Sequence, residues 1–155
     1  MSKETEASGA TQLAIDLIPK EKVSLLKIKI GKGHRKDSDW DEIKEILYSH
    51  DLFTALPEGR MAGIFSIDNI LCADNALILF TNADDCGKYL HDILEEQKGE
   101  GNYFQLGTVS LSYAIEVAKK AGKNIYIDIQ KDINQKFLVY EYETGLIKVT
   151  ILGRG

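Results

Sequence analysis

Ala76-Leu77-Ile78-Leu79-Phe80-Thr81-Asn82 decides the fold. Its apolar residues run without a break between Asp74-Asn75 and Thr81-Asn82. A short apolar run closed by turn-forming pairs at both ends reads as a central strand buried on both faces. Such a strand needs cover above and below, and the neighbouring sequence supplies helices. Thr81 or Asn82 starts one that runs to about Gln97, with Cys86, Leu90, Ile93 and Leu94 on a single face and Gly99 and Gly101 ending it. A further helix follows a short strand at Tyr103–Leu106. It is capped by Thr108 or Ser110, turns Leu111, Ala114, Ile115 and Ala118 inward, and stops at Gly122 after Lys119 and Lys120.

Upstream, Leu26, Ile28 and Ile30 alternate with Lys27 and Lys29, which predicts a half-buried strand over 21–30. A loop over 31–36 leads into a helix capped by Ser38 or Asp39, with Trp40, Ile43, Ile46 and Leu47 at helical spacing, ending near His50. Residues 52–59 read as an irregular connection and Met61–Ile67 as a strand. Downstream, Ile125, Ile127 and Ile129 alternate with Tyr126 and Asp128. Phe137–Tyr142 and Ile147–Ile151, joined across Glu143-Thr144-Gly145, form a hairpin. The expected fold is α/β of α+β-like character: a mixed β-sheet of about six strands with three helices packed on it and antiparallel C-terminal strands.

The 155 residues fit a flexible lead over 1–12 and a single domain over 13–155. Cys72 and Cys86 are too few for a disulfide framework, and with His34, His50 and His91 scattered they outline no zinc site. No cofactor is expected. The N-terminus lacks the apolar core of a signal peptide, and no apolar run approaches the ~20 residues that span a bilayer, so a cytoplasmic location is expected, with no membrane partner. A net charge of −5 disfavours nucleic acid and suits a basic protein partner.

Several groups invite a functional reading. Gly31-Lys32-Gly33-His34-Arg35-Lys36 has the glycines and cations of a phosphate loop but follows neither common nucleotide-binding pattern. Thr81-Asn82-Ala83-Asp84-Asp85 opens a helix just beyond the strongest strand, where ligands often bind. Two carboxylates there are of the kind that hold a hard cation, but the plainer reading is that Asp84 and Asp85 complement the helix N-terminus. On that helix Asp85, Tyr89, Asp92 and Glu96 fall at intervals of four, three and four, one stripe in which an aromatic ring stands among acids. A ring supplies area to bury and acids steer a basic partner, so these four are the expected partner-binding residues. In the closing strands Tyr126, Asp128, Lys148 and Thr150 share the face opposite the isoleucines, with Tyr140 and Tyr142 as candidates to join them. No G-x-S-x-G elbow or cysteine-protease signature is present, and no catalytic residue is assigned.

From about Ala76 to Val149 the chain resembles the N-terminal domain of the SseB-like family of small bacterial proteins. The resemblance is carried by Ala76-Leu77-Ile78-Leu79-Phe80-Thr81-Asn82, by Gln105-Leu106-Gly107-Thr108-Val109, and by the Leu111–Gly122 helix with Asn124–Ile129 after it. Where that family often has Asn-Pro after the late strand, this chain has Ile129-Gln130-Lys131-Asp132. The resemblance implies a binding or accessory module and transfers no catalytic residue. The expectation is a non-catalytic, bacterial, protein-binding domain, in one concrete form a toxin-neutralising immunity protein that occludes a basic toxin. The alternative is a small-ligand-binding or enzymatic domain using the 31–36 loop or the 81–85 strand end.

Overall fold

The computed structural model describes residues 16–59, 65–66, 70–73, 76–97, 102–130 and 135–151. In chain order the elements are α1 (Lys20–Gly31), α2 (Asp37–Tyr48), β1 (Asp51–Gly59), β2 (Phe65–Ser66), β3 (Ile70–Ala73) and β4 (Ala76–Leu79). There follow α3 (Ala83–Gln97), β5 (Asn102–Ser110), α4 (Leu111–Ala121), β6 (Asn124–Ile127), β7 (Lys136–Glu141) and β8 (Leu146–Ile151). The expected mixed α/β class is what forms. A sheet in the order β2-β3-β4-β6-β7-β8 is accompanied by a two-stranded sheet of β1 and β5. Among the described strands β4 and β6 alone pair in parallel; their crossover carries α3, β5 and α4, while β6, β7 and β8 are antiparallel. No helix among the described residues is long and apolar enough to cross a membrane.

The strand at 76–80 is buried along its whole length. Leu77 and Leu79 join a core with Leu26, Ile43, Leu47, Leu111 and Ile125 from the α1, α2 and α4 side. Ala76, Ile78 and Phe80 join a second core with Cys86, Tyr89 and Leu90 of α3. Successive side chains of a strand point to opposite faces, so a strand apolar at every position requires these two layers. The ends of α4 follow its sequence: the Ser110 hydroxyl accepts from the Tyr113 amide at 3.1 Å, and Gly122 takes a left-handed cap at φ 68°.

Four expectations need correction. The segment 21–30 is helical, not extended. Val23, Leu26 and Ile30 are three and four residues apart and buried, while Ile28 lies 64% exposed. Leu26 and Ile30 satisfy both periods, two and 3.6, and the lysines between them mimicked the wet face of a strand. Lys29 lies inward because Asp39 and Glu42 of α2 take its ammonium at 2.7 and 2.8 Å. The connection at 52–59 is a regular strand, paired with β5 from Asp51↔Ser110 to Gly59↔Asn102, which extends β5 well beyond 103–106. β3 was not anticipated. The helix expected from Ser38 or Asp39 begins at Asp37, and Asp39 acts from within the first turn by accepting from the Lys36 amide at 2.9 Å. Of the strand expected at 61–67, only Phe65–Ser66 is among the described residues, and the lead at 1–12 lies outside them.

Candidate functional site

The parallel pair β4–β6 ends where α3 begins, and α1 lies across that end. Asp128, the residue after β6, takes φ 67°, a left-handed conformation that asparagine and aspartate tolerate best among side-chain-bearing residues. Its amide donates to the Leu79 carbonyl at 2.9 Å, and its carboxylate accepts from the Thr81 amide at 2.8 Å and the Thr81 hydroxyl at 2.7 Å. Asp128 thus ties the end of β6 to the start of α3. One residue on, the Asn82 side chain accepts from the Asp85 amide at 2.9 Å and donates to the Asp85 carboxylate at 3.0 Å. From α1, the Lys27 ammonium reaches that carboxylate at 2.6 Å and stands 4.0 Å from Asp128. Gln130 adds a bond from its side-chain amide to the Asp85 carbonyl at 3.2 Å.

Charge in this clasp is tightly balanced. Complete burial raises the Asp128 carboxyl above its ordinary range, against the pull of Lys27 and Thr81. Burial pushes Asp85 the same way, but the bonds from Lys27 and Asn82 prevail and hold it low. Burial opposes the charge on Lys27, yet Asp128 and then Asp85 keep its pKa raised. Burial, followed by the charges of Asp128 and Asp85, pushes the Cys86 thiol up to about 12, so it stays protonated at neutral pH. A cavity of about 300 Å³ lies on one side of Lys27, lined by Gly31, Asp128, Gln135 and Lys136. Another of about 380 Å³ lies on the other, between Leu17, Ile18, Val23 and Phe53 and the Thr81–Asp85 turn. Among the described residues the buried side-chain oxygens of Gln130 and Gln135 find no partner. Among the described residues no cluster of three or more His, Cys, Asp or Glu could hold a metal ion.

The four stripe residues do not form one exposed surface. Tyr89 is only 5% exposed and packs on Phe80 with ring centroids 5.6 Å apart. It belongs to the inner face with Cys86, because the apolar sector of α3 is wide enough to include it. Asp85 is turned into the clasp, Asp92 is half-exposed, and the side chain of Glu96 lies outside those described. In the 31–36 loop, Arg35 donates to the carbonyls of Lys29, Ile30 and Lys32 at 3.3, 3.1 and 2.7 Å, while Lys32 binds Asp39. Those two cations close the end of α1 and dock it on α2. Tyr140 and Tyr142 sit with Ile125 and Ile147 rather than opposite them. Tyr126 is on the α3 side, edge-on to Phe137 at 5.2 Å.

An aromatic-and-acidic surface of the expected kind does exist, on α2. Asp37, Asp41, Glu45 and Tyr48 fall at intervals of four, four and three and are all exposed. Tyr48 is 46% exposed, and the three acids make no ion pair with a described residue. Beside them a groove of about 530 Å³ runs between α2 and β8, lined by Asp37, Trp40, Asp41, Lys44, Ile147, Lys148 and the 52% exposed Leu146. The helical spacing of these residues was available in the sequence; their proximity to β8 was not. No family model, curated protein or solved structure matches this chain.

Proposed function

We propose that this protein acts by binding another protein, not by catalysis, and that the outer face of α2 with the adjoining edge of β8 is the contact surface. The observation that carries this is the exposed acid row Asp37, Asp41 and Glu45 beside Tyr48, Trp40 and Leu146. Aromatic and leucine side chains supply desolvated area, and unpaired carboxylates steer a basic partner and raise its association rate. A bacterial immunity protein that occludes a basic toxin is the concrete form of this reading, and the resemblance to SseB-like accessory modules favours it. The test is to capture partners from the native cell with the whole chain and measure their association with the D37N/D41N/E45Q variant. Association should slow about tenfold and lose most of its salt dependence. A captured partner that binds this variant as fast as the parent refutes the surface.

A second reading, a small-ligand site at the end of β4 and β6, is favoured by the two cavities flanking Lys27 and the unpartnered Gln135 oxygen. It requires that small polar metabolites shift the amide resonances of Thr81, Asp85 and Asp128. A metabolite panel that leaves those resonances unmoved excludes it.

A further inference from the structure

We infer that the partner is engaged as an extended, basic strand added to the free edge of β8, an inference that rests on the binding role proposed for α2 and specifies the partner's form. Among the described residues β8 ends the sheet order, and it pairs with β7 without interruption from Leu146↔Glu141 to Ile151↔Lys136. Alternate N–H and C=O groups along a terminal strand point away from its neighbour and can receive another chain. Natural edges are commonly blunted by a bulge, a proline or a projecting lysine. β8 has neither bulge nor proline, and its one lysine, Lys148, is drawn back onto Glu141 at 3.1 Å. The charge that would repel a basic strand is therefore already answered from within the sheet.

Spacing and charge specify what such a strand would be. Ile147 and Val149 face the helical layer, so a strand beside β8 would place every second side chain under the groove next to α2. Residues on one face of a strand recur every ~6.6 Å. Carboxylates four apart on a helix recur every ~6 Å. Lysines or arginines at alternate positions can lay their aliphatic stems against Trp40 and Ile147 and bring their cationic heads to Asp37 and Asp41. Of the two lysines lining the groove, Lys148 is held by Glu141 and Lys44 is the only basic residue of α2, which leaves Asp37 and Asp41 to meet a cationic side chain. The intervening residues point to the other face of the sheet. Main-chain bonds along an edge with side-chain selection at alternate positions is an established mode of peptide recognition.

The test uses the whole chain and an end-capped heptapeptide of alternating Lys and Val, with two further forms N-methylated at every Lys or every Val nitrogen. Binding is read by amide chemical shifts of residues 146–151 and by fluorescence anisotropy. The parent peptide should move those resonances, and one of the two methylated forms should bind at least tenfold more weakly, since one set of N–H groups faces β8. The D37N/D41N/E45Q variant should bind the parent peptide about tenfold more weakly. If both methylated forms bind like the parent peptide, strand addition is wrong while the α2 surface stands. If the charge variant binds undiminished, the basic partner and the α2 surface both fall. Residues 146–151 protected without peptide in a chain that sediments as a dimer would show the edge taken by a second copy, and overturn the inference.

Discussion

Replacing Leu26 and Ile28 separately by alanine discriminates sharply between a helix and a strand at 20–31, on which the placing of Lys27 depends. In the helix Leu26 is fully buried, whereas Ile28 is 64% exposed. A leucine truncated in a close-packed core loses its transfer energy and leaves a cavity, about 2–5 kcal/mol together. Taking ~3 kcal/mol for Leu26→Ala and a urea slope of ~2 kcal/mol/M, the unfolding midpoint falls by ~1.5 M. In a domain of this size the melting temperature drops by roughly 6–12 °C. Ile28→Ala removes little buried area and gains a few tenths of a kcal/mol in helix propensity, so its net effect stays within about 0.5 kcal/mol. Urea unfolding of both variants at one pH is the assay. Equal losses at Leu26 and Ile28 would refute the helix, because only a strand puts both on its buried face.

Tyr89→Ala should cost about 3–5 kcal/mol by emptying the core around Phe80, whereas Asp92→Asn should shift stability by less than about 0.5 kcal/mol; thermal melts separate the two. Asp39, held well below its ordinary 3.8 by hydrogen bonds from Lys29, then the Lys36 amide and Lys32, contributes stability that is complete above 3.8 and lost as the pH falls through its folded value. Asp39→Asn should therefore flatten the acid side of a stability–pH curve measured by urea unfolding. Asp128 acts with the opposite sign. Burial raises its pKa above 3.8, so its contribution is fullest below 3.8 and declines as the pH rises through the folded value, and Asp128→Asn should remove that decline in the same experiment. Gly122→Ala should cost about 1 kcal/mol of stability in urea unfolding, from backbone strain alone, since a Cβ there meets nothing nearer than the Tyr142 hydroxyl at 3.8 Å.

The strand-end clasp was half legible in the sequence. The Thr81–Asp85 turn was placed beyond the strongest strand, and it stands there with the capping bond from Asp85 to Asn82. Lys27, Asp128 and Gln130 were not read as part of it, because 58 residues separate Lys27 from Asp85 and 47 separate Thr81 from Asp128. No local pattern encodes such a meeting. The sequence pattern points to an acidic, aromatic surface on α3, whereas the fold displays one on α2, for a related reason. Periodicity locates the stripes of a helix, but what packs against the helix decides which stripe stays wet.

Local chemistry by itself determined where most elements lie from residue 76 onward. The apolar run at 76–80, the Ser110 cap, the Gly122 stop and the 136–151 hairpin each depend on neighbours within a few positions. Tertiary structure alone decided whether 20–31 would be helix or strand, since Leu26 and Ile30 satisfy both periods and only packing against α2 breaks the tie. It also decided that Tyr89 is core and that Asp37, Asp41 and Tyr48 remain in water. Burial is a property of contacts distant in sequence, and a residue's own side chain carries only half of each contact.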